Sequence, residues 1–234
     1  MLIILSYDGL EYNCVKEFNC KNLTQKCFGK TDIREFSEPR TMVIWASFLT
    51  GRNMEREVLA HKDIWSFRIN IRDTFLSSFE KWMAIDMPAL TQDIKKIKAE
   101  RDLLKKYFNG SASIEEFDAL IFEHHRETKQ KFFEALEKDF DILLAYFNLA
   151  DMIGHLSFGI KIKMKLIYKE LDEIAKEARK HCDKLLIISD HGMKALGRYG
   201  DHNTYGFWSF SEEIDLKNPK ITEFRNFIES FCKT

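Results

Sequence analysis

The stretch Asp183-Lys-Leu-Leu-Ile-Ile-Ser-Asp-His-Gly192 decides how this chain is read. Its apolar centre shows no polar alternation, which predicts a strand buried on both faces, as in a parallel sheet. The run ends in a carboxylate, an imidazole and a glycine. The same pattern occurs twice more: Leu2–Tyr7 is a continuous apolar run closed by Asp8-Gly9, and residues 141–148 (DILLAYFN) are followed by Asp151. Ligands of open α/β sheets sit beyond the carboxyl ends of the strands. Residues far apart in sequence are therefore expected to meet at one edge of this sheet.

Between the second and third runs, Ile167, Leu171, Ile174 and Ala178 recur at helical spacing with Lys and Glu between them. A strand, a helix and a strand predict a right-handed parallel crossover. The apolar stretch 41–49 ends at Thr50-Gly51, where glycine can cap a helix. It reads as a buried helix with Thr41 in its first turn. Residues 62–140 differ in character: Pro88 interrupts them, residues 92–108 are charged and helical, and Asn109-Gly110 is a break. Ser113-x-x-Glu116 is a capping box for a helix running to about Lys138. Phe224, Phe227, Ile228 and Phe231 form one face of a last helix. The expected fold is α/β: a single domain over 1–234, with a mostly parallel central sheet, flanking helices and a helical cap insertion at about 62–140.

Composition narrows the classes of function. The chain has 234 residues, 45% hydrophobic and 13% aromatic, enough for one good core. Only 10 Gly and 3 Pro argue against disorder, and a net charge of −1 gives no electrostatic reason to bind a nucleic-acid polymer. A small phosphorylated ligand can still bind through local charge or metals. MLIILSYDGL is apolar but short and has no charged segment before it, so it is not expected to be a signal peptide, and no run is long enough to span a membrane. The five cysteines lack CxxC pairs and fit a reducing, cytoplasmic compartment.

Several residues carry possible chemistry, and each has a plainer reading. Asp151 and His155, four apart, can share a helical face and one ion, or be a solvated pair. Asp190 and His191 in a tight turn can reach one ion, or form a polar turn. Asp8 can ligate or cap a helix. His202, in Gly-Asp-His-Asn-Thr-Tyr-Gly, lies in a polar loop that offers little packing reason for histidine, though a surface role is open. Together they place three carboxylates and three imidazoles at predicted strand ends or loops. That donor set suits Zn²⁺, with Mn²⁺ or Fe²⁺ as the other candidates, better than Mg²⁺ or Ca²⁺. Six ligands are too many for one open catalytic ion and about right for two.

The order of these motifs resembles the alkaline phosphatase superfamily, and within it the type I phosphodiesterase/nucleotide pyrophosphatase branch. The pieces are ILSYDGL, RTMVIWASFLTG, LADMIGH, IISDHGM and GDHNTYGF. The resemblance spans residues 1 to about 60 and 140 to 208. It implies that one metal takes Asp151, His155 and His202, and the other Asp8, Asp190, His191 and the hydroxyl of Thr41, the nucleophile. Thr41 can equally be a helix cap. A threonine hydroxyl needs metal activation to attack, and a helix start aims N–H groups at a phosphate. The chain departs from the branch after Thr50-Gly51, where Lys62 stands near the place of a phosphate-binding Asn; Lys62 and the neighbouring His61 read as substrate contacts or as surface residues.

Other features are read with their alternatives. His124-His125 in a charged helix reads as solvated. Trp65, Phe67 and Trp82 read as a small core of the cap or as a nucleobase pocket, and Arg198 and Tyr199 as substrate contacts or loop residues. The expected function is a two-metal phosphodiesterase or nucleotide pyrophosphatase acting through a threonyl-phosphate on a small substrate, a nucleotide among the candidates. The alternatives are a phosphomonoesterase, phosphonate hydrolase or phosphosugar mutase on the same scaffold, or a non-catalytic metal- or nucleotide-binding protein.

Overall fold

Leu2–Tyr7 forms strand β1, and every one of its residues is buried. In the computed structural model, which describes residues 1–233, it lies at the centre of a six-stranded sheet. The chain continues through α1 (Tyr12–Glu17), β2 (Cys27–Asp32), α2 (Thr41–Thr50), α3 (Glu55–Leu59) and β3 (Trp82–Ile85). Then come α4 (Ile94–Phe108), α5 (Ile114–Leu136), β4 (Ile142–Phe147), α6 (Leu149–Ser157) and α7 (Lys161–Ala178). The last quarter holds β5 (Lys184–Ile188), β6 (Met193–Leu196), β7 (Tyr199–His202), β8 (Tyr205–Phe210) and α8 (Phe224–Glu229).

The strand order is β2-β8-β5-β1-β4-β3. β1 runs parallel to β4 and to β5, and β3 parallel to β4. β8 is antiparallel to both β5 and β2, so one side of the sheet is mixed. Alternate side chains of β1 serve two cores. Ile3, Leu5 and Tyr7 pack with α5, α6 and α7, while Leu2 and Ile4 pack with α2 and α8. Burial on both faces is why β1, β4 and β5 show no polar alternation.

The expected helix from Thr41 is α2, buried along its whole length and closed by Gly51 in the left-handed region at φ 68°. The capping box at Ser113 and Glu116 forms and opens α5. Residues 62–140 prove less uniform than the helical block expected from sequence. Trp82–Ile85 is an edge strand of the central sheet, and Phe75, Leu76, Met87 and Ala89 belong to its core. α5 also packs on the sheet, through Phe117, Ile121 and Phe132. A four-residue strand at an edge has too short a pattern to stand out from its surroundings. What remains above the carboxyl edge is α4 and the loop around Trp65. Among the described residues no helix is long and apolar enough to cross a membrane.

Candidate two-metal site

The carboxyl ends of β1 and β5, the helix after β4 and the end of β7 converge. Two groups result: Asp151, His155 and His202, and Asp8, Asp190 and His191, each with ligand atoms within 4.8 Å of one another. The sequence resemblance grouped the same six side chains in this way and added the Thr41 hydroxyl to the second group. His155 Nε2 and His202 Nε2 each lie 3.3 Å from a carboxylate oxygen of Asp151. His191 Nε2 lies 3.2 Å from Asp8, 3.4 Å from Asp190 and 4.0 Å from Asp151, which joins the groups into one centre. The His191 and His202 rings stack at 3.8 Å between centroids.

Local backbone makes this convergence possible. Gly9 adopts φ 69°, and a Cβ there would stand 2.8 Å from the Asp151 Cα. Only glycine lets the end of β1 approach α6 that closely. The two carboxylates are thereby brought together, and Gly9 N–H also donates to Asp190 Oδ1 at 3.3 Å.

Donors and acceptors around the centre leave the ligand atoms free. His191 Nδ1 contacts the Gly192 carbonyl at 3.1 Å, and His202 Nδ1 the Pro39 carbonyl at 2.9 Å. A ring whose Nδ1 donates to a carbonyl presents a lone pair at Nε2, the arrangement that ligating histidines use. Tyr146 donates its hydroxyl to Asp8 Oδ2.

The six side chains fit divalent cations on a further ground. Each has a buried atom without a hydrogen-bond partner: Asp8 Oδ1, both oxygens of Asp151, Asp190 Oδ2, and Nε2 of His155, His191 and His202. Unpaired buried polar atoms are costly, and a cluster of them aimed at common points is accounted for by cations. Electrostatics agree. Burial and the adjacent charge of Asp8 push the Asp190 carboxyl well above the usual range. Burial also opposes ionisation of Asp151, but the facing His155 and His202 outweigh it and hold that carboxyl well below the usual range. Burial lowers the affinity of His191 for a proton, and Asp8 and Asp151 more than reverse this.

Thr41 is the first residue of α2, 3% exposed. It lines, with His202, a cavity of about 470 Å³ whose other walls include Pro39, Trp65 and Arg101. The contact from His202 to Pro39 ties the strand carrying one ligand to the segment leading into Thr41. His61 and Lys62 are exposed and are absent from that lining. The cation of the cap that reaches the centre is Arg101 of α4, with Nη2 3.8 Å from Asp151 Oδ2. His61 instead binds the Asp63 carbonyl and packs on Phe67.

Sequence reasoning passed over three residues here. Glu11 accepts from the Asn13 amide N–H, from Tyr205 O–H at 2.6 Å, from Met193 N–H at 3.1 Å and from Asn203 Nδ2 at 3.2 Å, binding three site loops together. Arg101 and Glu100 sit on the inner side of α4 near Ile97; charged residues on an otherwise apolar stripe were the available signal. His124 and His125, expected in solvent, are drawn inward because α5 packs against α4 and the sheet. His124 Nδ1 meets Glu100 at 2.7 Å and His125 Nε2 meets Glu170 at 3.2 Å. Glu100 in turn accepts from Asn148 Nδ2 at 2.7 Å. Asn148 immediately precedes α6, so α4 is fastened to the start of the helix that carries Asp151 and His155. Arg198 donates to the Leu156 carbonyl, and Tyr199, at the start of β7, packs on Phe108.

No protein-family model and no curated protein sequence matches the chain. Solved structures do. The PH0037 protein from Pyrococcus horikoshii is 13% identical, with 99% of this chain and 96% of that one covered and a TM-score of 0.53. Murine ectonucleotide pyrophosphatase/phosphodiesterase 5 is 14% identical, with 82% of this chain and 57% of that one covered and a TM-score of 0.47. An inactive form of the murine protein in complex with AMP gives 15% identity, the same coverages and a TM-score of 0.49. The chain thus spans little more than half the length of the murine protein. With its parallel β3-β4-β1-β5 core and helices on both faces, the chain has the α/β fold expected from its sequence and shares that fold with the PH0037 protein.

Proposed function

We propose that the protein is a two-metal hydrolase of phosphate esters in which Thr41 is the nucleophile. The observation that carries this reading is a pair of adjoining three-residue groups with unpaired buried donor atoms, one of which borders, through His202, a cavity that Thr41 also lines. Asp151, His155 and His202 would hold one ion; Asp8, Asp190 and His191, with the Thr41 hydroxyl, would hold the other. The donor set favours Zn²⁺, with Mn²⁺ or Fe²⁺ next. When bound, the ions activate the hydroxyl and neutralise the charge of the phosphoryl oxygens.

The residues of the chain supply the remainder. The first N–H groups of α2 have no partners within the helix and point at an anion placed there. Thr41 Oγ1 attacks phosphorus, the bond to the departing oxygen breaks, and water then hydrolyses the threonyl-phosphate. The motif order resembles that of phosphodiesterases and nucleotide pyrophosphatases, which makes diesters and nucleotides the first substrates to try.

Metal analysis should find about two divalent ions per chain. Zn²⁺- or Mn²⁺-loaded protein should hydrolyse a panel of p-nitrophenyl phosphoesters. Thr41→Ala should retain metal and lose at least about a thousandfold in kcat, and rapid acid quenching of wild type should trap phosphothreonine. Full turnover by Thr41→Ala sinks the covalent route. Bound metal without turnover on any ester sinks the hydrolase.

A further inference from the structure

Among the described residues, Phe108, Ile162, Leu166 and Leu196 stand out by exposure. They are 56–75% exposed, against 41% or less for the other exposed large apolar side chains. They come from three elements that meet. Phe108, the last residue of α4, packs on Tyr199, and Tyr199 pairs with Leu196 across the β6–β7 turn. That turn rests on the link between α6 and α7, where Gly159 N–H donates to the Arg198 carbonyl at 3.0 Å. Ile162 and Leu166 follow from this link, one turn apart on α7. They face away from the core that Met164, Ile167 and Tyr168 enter.

Every charged residue in 105–108, 161–166 and 194–199 is a lysine or an arginine. Lys105 meets Asp102, Lys161 meets Glu17, Lys163 meets Asp118 and Lys194 meets Asp201. Lys106, Lys165 and Arg198 meet no carboxylate among the described residues. The chain as a whole carries a net charge of −1, so positive charge is gathered around these bare apolar tips.

Apolar tips collared by cations match a surface with anionic headgroups over an apolar interior. A second copy of the chain, paired through the same patch, would set like-charged collars face to face. A nucleic acid would meet the cations and leave Ile162 and Leu166 in water. We infer that this patch docks the protein on an anionic bilayer. The four apolar tips enter the boundary between headgroups and acyl chains, and the lysines spread among the headgroups. The docking does not depend on the hydrolase reading. It has a bearing on the site all the same, because β7 runs from Tyr199 at the patch to His202, and Lys194 also lines the cavity beside Thr41.

Sedimentation with sucrose-loaded vesicles tests this on the Zn²⁺-loaded protein. One set is phosphatidylcholine alone and the other contains about 30% phosphatidylglycerol. Binding to the anionic vesicles should be at least about tenfold tighter, and should fade as salt rises from about 0.1 M to about 0.5 M. Ile162→Ser combined with Leu166→Ser should weaken it roughly tenfold or more. Lys106→Gln combined with Lys165→Gln should weaken it roughly tenfold to thirtyfold. Leu59→Ser, which removes an exposed apolar side chain from α3, should bind as wild type does. Thermal unfolding checks that each variant is folded. All substituted side chains are exposed, and the lysine pair decides the matter if the apolar pair proves unstable. Equal binding to both vesicle types, or none to either, overturns the docking. Wild-type binding by the apolar pair reduces the patch to a charge collar that any polyanion fits, and overturns it too. A dimer in light scattering that Ile162→Ser with Leu166→Ser dissolves would give the patch to a second copy instead.

Discussion

A Cβ added to Gly192 would stand 2.2 Å from Glu11 Oε2. That oxygen also accepts from Met193 N–H and Asn203 Nδ2, so it has little freedom to withdraw. The glycine of the Asp-His-Gly turn is thus required by a carboxylate that arrives from the loop after β1. Gly192→Ala should destabilise the fold by about 1–3 kcal/mol through overpacking. It should also loosen His191 and His202 together, since Glu11 steadies both loops. Thermal unfolding combined with metal titration checks this: a variant with wild-type melting temperature and metal affinity would show that Glu11 moves aside at no cost.

Tyr146 holds Asp8 from below the metal centre. Its hydroxyl is kept protonated by burial and by the neighbouring charge of Asp8, which pushes its pKa well up, so it remains a donor. Tyr146→Phe keeps the ring packed against Trp45 and removes only that bond. Metal affinity should fall by about 10–100-fold, as is usual when a group orienting a ligand is lost. Competition with a chromogenic chelator measures it, and unchanged affinity would mean that Asp8 is held without Tyr146.

The six clustered side chains and the three central strands were legible because each depends on local pattern: an apolar run long enough to cross the sheet, then an acidic or imidazole side chain within a few residues. The helix from Thr41 was legible through its apolar run and the closing Thr50-Gly51. Glu11, Tyr146 and Arg101 were not, since what makes them functional is the packing of segments distant in sequence. Arg101 looks like any other base in the charged run of α4 until that helix is laid across α6. The His124-His125 pair misled for the same reason: a charged helix looks solvated until Glu100 and Glu170 come to meet it.

Glu170 gives a pH signature away from the metals. Contact with His125 and then Lys129 outweighs its partial burial and holds its carboxyl at about 2, against an ordinary 4.5. A depressed folded-state value means that the contacts stabilise above about 4.5, and that this stability is lost as pH falls from there through 2. Because the side chain is 35% exposed, solvent screening reduces the contribution to roughly 1 kcal/mol. Glu170→Gln should therefore melt earlier than wild type at pH 6, and the gap should close in acid. A gap independent of pH would point to packing and not to charge.

Arg68 anchors the loop that presents Trp65. It donates to the Phe67 carbonyl at 2.7 Å, the Trp65 carbonyl at 3.2 Å and the Gln92 carbonyl at 2.7 Å, tying the loop to the start of α4. Arg68→Ala should cost about 1–3 kcal/mol of stability. It should raise KM more than it lowers kcat, because the Trp65 seat shifts while Thr41 does not. Steady-state kinetics decide: a fall in kcat with KM intact would place the loop's influence on the nucleophile.

Strand β1 pairs residue by residue with β4 and β5, so that Leu2 lies beside Ile142 and Lys184. Loop closure over such spans comes before any reward from the contacts, which makes pairing of this kind slow. Asp8 follows β1, whereas its companions Asp151, Asp190 and His191 follow β4 and β5, on the far side of α4 and α5 in the chain. The centre can close only once β1, β4 and β5 have paired, so a divalent ion bound there would act as a latch on the sheet.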